Sequence, residues 1–255
     1  MNIFNHITLK VQGSETQPDG PHFLLNNYGH GFDEITASSL LKVTLDGTQV
    51  APRNNENGNH AQPAGRVFKP GYVLHSAIHA GRKDVHAIWH CHQLESTAIC
   101  QTTTGLLPLS QEATFAIAKG IAYHPYEGSV NSLEEQPRFL TSLGPTNKVM
   151  MLEDHGPLVV GSRLEEAFST MWFLTRACEY QVRATSSVGG DLSRINIPTQ
   201  EIEQEMNRRA ASFDEAPTIK VAEEEVVEKH DTEALMFHCA RRAAEREFGA
   251  DNIYC

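Results

Sequence analysis

Cysteine is scarce in this chain and lacks the spacings that would give it a structural task. The 255 residues include five cysteines, an odd number, and no two of them form a Cys-x-x-Cys pair. This usage argues against a disulfide framework and indicates free thiols in a reducing compartment. We therefore expect a cytoplasmic protein.

Long apolar runs and an excess of positive charge are also missing. No apolar run reaches the length of about 18 residues that a membrane span needs, and the first residues do not resemble a signal peptide. The net charge is −11, so neither nucleic acid nor an anionic membrane is expected as the main partner. An anionic small-molecule substrate is still compatible with this net charge, because the charges of a local site can oppose the overall field.

The apolar pattern favours a globular fold of mixed class. Hydrophobic residues make up 40% of the chain and charged residues 21%, which is ordinary for a soluble domain. Strands and helices are predicted to alternate along the middle of the chain: strands at 85–92, 148–153 and 157–160, and helices at 74–81, 94–101 and 111–119. We therefore predict an α/β fold, an αβα sandwich in which helices flank one sheet.

A change of composition near residue 213 divides the chain. Residues 1–212 carry the apolar periodicity of a folded domain, including a long amphipathic helix after Ser162. Residues 213–229 are acidic and poor in large apolar groups, which predicts a linker, and 231–248 predict one more helix. We therefore expect a domain over 1–212 and a linker with a C-terminal helix over 213–255.

Three histidines form the most informative pattern. His90 and His92 stand two positions apart on a predicted strand, so both side chains project from one face and Cys91 from the other. His155 lies between two predicted strands and precedes Gly156, which permits a sharp turn. Three imidazoles with an open fourth position are typical of catalytic zinc, although they also suit other transition metals. Among thirteen histidines, the spacing alone does not distinguish a metal site from a chance pair.

Several short segments surround these histidines in a fixed order. They are Phe4–Thr8, Gly31–Leu40, Leu45–Gly47, Leu74–His92, Gly105–Ala113, Ala122–Gly128, Met151–Gly161 and Glu166–Phe168. In their amino-acid sequences and in their order along the chain, these segments resemble the class II aldolase/adducin family, and the resemblance runs from residue 1 to about residue 190. It implies a mostly antiparallel central sheet and a homotetramer with active sites between subunits. It also implies a divalent metal on His90, His92 and His155, with zinc favoured and iron or manganese as alternatives.

Three departures separate the chain from sugar-phosphate aldolases of that family. Their proton-transferring Glu corresponds to Gly71 here, and Lys69-Pro70 stands where they have two serines that help hold phosphate. The sequence starts inside the loop that contains Asn5, so we expect the usual preceding helix to be missing. The sequence of Leu74–His79 is more similar to adducin heads and their bacterial and fungal relatives than to sugar-phosphate aldolases. The resemblance therefore places the chain in the adducin-like branch.

A catalytic role is predicted for a stretch that lies near the metal in the family. It contains Tyr123, His124 and Tyr126, and one of these could replace the missing Glu as acid or base. Packing of Tyr126 and a surface position for His124 are the alternatives.

Five residues are predicted to bind substrate: Asn5, Thr8, Gly29, His75 and Glu112. The resemblance places the first three in loops that hold the anionic end of a substrate, although Asn5 could simply close a turn. His75 follows Gly71 by one helical turn and could orient a ligand, act as a base or serve the helix alone. Glu112 could reach the metal, support one of its ligands or merely start a helix.

Together these features favour a metal-dependent enzyme of the lyase type. We predict retro-aldol cleavage or decarboxylation of a small hydroxy-carbonyl or keto-acid substrate, with the metal stabilising an enediolate. One alternative is a non-catalytic, adducin-like scaffold that self-associates. Another is an iron-dependent oxygenase or an epimerase, because a fold does not fix a function.

Overall fold

The secondary structure follows the predicted alternation of strands and helices. A computed structural model describes residues 4–13, 16, 20–50, 65–128, 133–211, 219–221, 224–226 and 231–250. The strands in these ranges are β1 His6–Lys10, β2 His22–Leu25, β3 Leu41–Thr44, β4 Ala87–His90, β5 Ile121–His124, β6 Val149–Leu152, β7 Gly156–Gly161, β8 Ile219–Val221 and β9 Glu224–Val226. The helices are α1 Lys69–Gly81, α2 Leu94–Cys100, α3 Gln111–Ala118, α4 Gln136–Leu143, α5 Leu164–Ser187, α6 Gln200–Ala211 and α7 Thr232–Phe248.

One seven-stranded sheet forms the centre of the described structure. Its strand order is β3-β2-β1-β4-β7-β6-β5. Every neighbouring pair is antiparallel except β5 with β6, which is parallel. The prediction of an α/β fold around a mostly antiparallel sheet is confirmed.

Two apolar layers cover the two faces of this sheet. Strands β4, β6 and β7 are shielded on both faces, which explains why all six residues of β7 are buried. One layer packs under α2, α3 and α5 and includes Ala87, Val149, Met151, Val159 and Leu174. The other packs under α1 and α4 and includes Ile88, Met150, Leu158, Val160 and Phe139. Because side chains alternate along a strand, His90 emerges on the same face as Ile88.

Helix α1 is longer than the sequence pattern predicted. The predicted start lies near Leu74, but the helix begins at Lys69 with Pro70 in its first turn. Proline is tolerated there because the N–H groups of the first turn have no partner within the helix. The extension places Gly71 inside the helix and on its buried side.

The C-terminal helix packs against the domain. Helix α7 matches the predicted helix at 231–248, and it contacts α5 through the ring pair Phe168–Phe237, whose centroids are 5.7 Å apart. Arg163 Nη2 lies 2.6 Å from Asp231 Oδ1 at the start of α7. Most of the predicted linker lies outside the described residues, and β8 and β9 within it pair as an antiparallel hairpin that the sequence did not predict. The boundary at residue 213 stays a prediction.

None of the helices in the described ranges combines the length and the apolar character that crossing a membrane requires.

Candidate metal centre

Strand pairing brings the three predicted ligands together at one end of the sheet. His90 ends β4 and lies opposite His6 of β1 on one side and Leu158 of β7 on the other. His92 follows on the loop to α2, and His155 lies in the turn between β6 and β7. Since β4 and β7 are neighbours, that turn lies beside the end of β4.

The ligand nitrogens converge on one point. The Nε2 atoms of His90 and His92 are 2.9 Å apart, and one ring nitrogen from each of His90, His92 and His155 lies within 4.8 Å of the others. Tetrahedral zinc with its usual Zn–N bond length would separate such atoms by about 3.3 Å. His90 is buried, whereas the other two histidines are half-buried. The cluster therefore has a closed side and an open side.

The electrostatic state of the cluster suits a cation. The Nδ1–H of His90 donates to the carbonyl oxygen of Pro157 at 2.9 Å, which leaves the Nε2 lone pair free for a metal. Burial, and then the neighbouring imidazoles of His6, His155 and His92, hold the pKa of His90 well below its usual value. Burial and His92 lower the pKa of His155 to about 4. Neutral imidazole is the form that binds metal, so these residues fit a divalent ion.

Three backbone features hold the ligand loops. The His92 N–H donates to Asn5 Oδ1 at 2.9 Å, and Asn26 Nδ2 donates to the Asn5 carbonyl oxygen at 3.3 Å. Asp154 has a φ of 54°, the left-handed region that Asp tolerates better than most residues. A Cβ on Gly156 would lie 2.6 Å from the carbonyl oxygen of Cys91. Asn5, predicted to bind substrate, thus holds the backbone at His92, one of the three predicted ligands.

Thr8 and His75, also predicted to bind substrate, lie beneath the cluster. Both are fully buried, and His75 uses both ring nitrogens in hydrogen bonds to His6 and Thr8. His6 and His79 join the same network and were not singled out from the sequence. The available signal was the alternation of His6 with Thr8 on a strand and the one-turn spacing of His75 and His79 on a helix.

Gly29 lies in a turn that aromatic contacts connect to His6, whose ring centroid is 5.8 Å from that of Phe68, whereas Glu112 lies on the other face of the sheet. Gly29 has a φ of 101° in the turn after β2, beside Tyr28, whose ring stacks on Phe68 at 4.7 Å. Glu112 is in the first turn of α3, which packs with α5 on the opposite face of the sheet from His90. The structure gives no contact between Glu112 and the histidine cluster among the residues it describes.

The three predicted catalytic residues are divided between the two faces of the sheet. His124 and Tyr126 line one cleft with His155. The His124 Nδ1 lies 2.8 Å from Ser142 Oγ, and its ring packs on Phe139. Tyr123 points to the other face, where its hydroxyl accepts the N–H of Leu106 at 3.0 Å. Cys91 also lies on that face, as predicted, with Sγ 3.7 Å from Met171 Sδ.

A pH dependence of stability follows from His79. Burial, with the nearby positive charge of Lys10 and the imidazole of His86 acting in the same direction, lowers its pKa from 6.5 to about 3. The folded state keeps this imidazole neutral, while the unfolded chain takes up a proton below about pH 6.5. The contribution of His79 is therefore fully present above that pH and is lost as the pH falls toward 3.

We expect His79→Gln to flatten this dependence. Between pH 6 and 4 the free energy of unfolding of the variant should fall less steeply than that of the wild type, by about 1.4 kcal/mol per pH unit. Urea titrations at several pH values measure both slopes. Equal slopes would show that His79 is protonated in the folded state over this range.

Comparison with known proteins identifies the family of this site. The sequence model described as "Class II Aldolase and Adducin N-terminal domain" matches residues 1–182. A Caulobacter vibrioides protein named for the class 2 aldolases is 41% identical over 189 residues, which cover 74% of this chain and 66% of that protein. Rat alpha-adducin is 40% identical over 189 residues, which cover 74% of this chain and 24% of the adducin.

A solved structure agrees with the sequence relatives. The crystal structure of an aldolase II superfamily protein from Pseudomonas syringae is 32% identical, with a TM-score of 0.77, over 97% of this chain and 85% of that one. The chain belongs to the class II aldolase/adducin family. It spans about two thirds of the length of the Caulobacter relative and about a quarter of the adducin. The recognition made from the sequence is confirmed.

Proposed function

We propose that this chain is a metal-dependent lyase acting on a small hydroxy-carbonyl or keto-acid compound by retro-aldol cleavage or decarboxylation. One observation carries the proposal: the ring nitrogens of His90, His92 and His155 converge. The hydrogen bond from His90 Nδ1–H to the Pro157 carbonyl oxygen leaves Nε2 as the nitrogen that would bind the metal. The open side of the cluster leaves room for a substrate. The chain belongs to a family that includes class II aldolases, and this membership supports the proposed type of reaction.

The ligand residues and the metal have separate tasks. His90, His92 and His155 would hold the ion, which supplies Lewis-acid polarisation of substrate oxygens when bound. The hydrogen bond from the His92 N–H to Asn5 orients the loop that carries this ligand. The buried side of the cluster excludes water from one flank of the substrate.

A group that moves protons is also needed, and two candidates lie beside His155. Tyr126 is 57% exposed and lines the cleft that His155 shares with His124. We propose Tyr126 as the group that exchanges a proton on this open side, with His124 behind it. Tyr123 has no part in the proposal, because its hydroxyl is bonded to the backbone on the opposite face.

Metal identity, assembly and compartment complete the proposal. Three neutral imidazoles support zinc ahead of iron or manganese. Leu94 is an exposed apolar side chain two positions after His92, which supports burial of this edge in a homotetramer. Free cysteines at 91, 100, 178 and 239 support a reducing, cytoplasmic setting.

The test is metal analysis followed by a substrate screen. Protein purified without chelator is expected to carry about one ion per chain and to cleave or decarboxylate at least one member of a panel of small hydroxy and keto acids. Protein stripped with chelator is expected to lose that turnover and to regain it with zinc. A chain that binds no metal, or one that is loaded with metal and turns over no member of the panel, would contradict the proposal.

A further inference from the structure

A chain of buried hydrogen bonds runs inward from the metal centre. His6 Nδ1 lies 2.9 Å from His75 Nε2, and Thr8 Oγ1 lies 2.8 Å from both His75 Nδ1 and His79 Nε2. All four residues are at most 4% exposed. The outer end of the chain is the ring of His6, whose centroid lies 4.8 Å from that of His90. We call these four residues the histidine relay.

The two elements that form the relay place it by their own periodicity. His6 and Thr8 project from the same face of β1, and His75 and His79 are one turn apart on α1. Ordinary core packing would fill this layer with aliphatic side chains, as it does elsewhere under α1. Buried imidazoles are costly unless each polar atom is paired. Hydrogen bonds join His6 to His75, His75 to Thr8 and Thr8 to His79, and the relay ends at Nδ1 of His79, which has no hydrogen-bond partner among the described residues.

The relay couples the proton positions of its members. A neutral imidazole donates through one ring nitrogen and accepts through the other. Because His75 uses both nitrogens inside the relay, its tautomer dictates that of His6. If the hydrogen bonds run from His6 toward His79, then His6 presents Nε2 as an acceptor. If they run the other way, His6 presents an Nε2–H donor.

The free edge of His6 lies over Gly71. A Cβ on Gly71 would lie 2.9 Å from both Nε2 and Cδ2 of His6. The absence of a side chain at this position therefore makes room for the ring. Since Nδ1 is bonded to His75, Nε2 is the nitrogen that remains to meet a substrate at the histidine cluster.

We propose that His6 contacts the substrate of the metal centre through Nε2, and that His75, Thr8 and His79 are positioning residues that fix its tautomer. This inference rests on the proposed lyase function and adds the chemical feature that the site recognises. That feature is a hydroxyl group next to the carbonyl, and the tautomer of His6 sets whether this hydroxyl donates to Nε2 or accepts from it. Tyr126 on the open side and His6 on the closed side then face the substrate from two directions.

Two substitutions at Thr8 test the positioning role. Thr8→Val keeps the shape and removes the hydroxyl, whereas Thr8→Ser keeps the hydroxyl. With zinc bound, Thr8→Val should retain one ion per chain and its fold, shift the ¹⁵N imidazole resonances of His6, and lower kcat about tenfold or more with little change in KM. Thr8→Ser should match the wild type in both the resonances and kcat. A wild-type kcat and unchanged His6 resonances in Thr8→Val would overturn the positioning role.

A substitution at His6 tests the substrate contact and separates it from the lyase proposal. His6→Phe keeps a planar ring without nitrogens, and glycolate serves as a binding probe for the zinc-loaded protein in calorimetry. We expect the variant to hold zinc and to bind glycolate at least about tenfold more weakly than the wild type. Equal affinity would overturn the contact, even if the wild type proves to be a lyase. A wild type without turnover would contradict the proposed function, while the glycolate comparison still decides the role of His6.

Discussion

Replacing His92 with alanine is expected to abolish stoichiometric metal binding and, with it, turnover. The substitution removes one of three converging nitrogens. Loss of a group that only supports a metal ligand already weakens binding by about 10–100-fold. Loss of the ligand itself should therefore lower affinity by more than about 100-fold, which elemental analysis after dialysis would show.

Replacing His92 is expected to cost little stability. His92 is half-buried, so the metal-free variant should keep its free energy of unfolding within about 1 kcal/mol of the metal-free wild type. His86→Ala, which removes another half-buried histidine just before β4, serves as the control and should keep both metal and turnover. Full metal occupancy in His92→Ala would remove this residue from the ligand set.

Gly156→Ala is expected to damage stability and metal binding together. The added Cβ would lie 2.6 Å from the Cys91 carbonyl oxygen, and a backbone atom cannot rotate away as a side chain can. Either β7 or the segment between His90 and His92 must shift. We expect a loss of about 1–3 kcal/mol in the free energy of unfolding and at least about tenfold in metal affinity.

Gly189→Ala is a control that introduces backbone strain without a steric collision. Gly189 has a φ of 67°, and a Cβ there would meet nothing within 4 Å. Gly189→Ala should therefore carry a conformational cost of about 1 kcal/mol and leave metal affinity unchanged. Urea denaturation and metal competition titrations on both variants provide the comparison. If Gly156→Ala binds metal like the wild type, the contact with Cys91 does not set the ligand geometry.

Local periodicity predicted that His90 and His92 lie together and that Cys91 points away from them, and the structure agrees. The predicted strand at 85–92 was too long, because β4 ends at His90 and His92 lies in the loop that follows. The alternation of strands and helices also gave the correct fold class. The start of α1 was missed because Lys69-Pro70 looks like a loop until its position in a first turn is known.

The pairing of strands that are distant in the sequence explains why the role of His6 was not predicted. His6 matters because β1 pairs with β4 in the register that sets His6 opposite His90. That register depends on residues more than eighty positions apart, which no local pattern encodes. The family resemblance pointed to Asn5, Thr8 and His75, which the structure places next to the histidine cluster, and their binding of substrate stays a prediction. It did not show that Thr8 and His75 are buried, because burial depends on how α1 packs over the sheet.

The unequal burial of the three ligands has a kinetic consequence. An ion that arrived from solvent would meet His92 and His155 before His90, whose ring is held by the carbonyl oxygen of Pro157. Binding would then begin on the two half-buried histidines and end on a fixed third nitrogen. Exchange with a chelator would follow the reverse order, so its rate would depend on motion of the turn that carries His155.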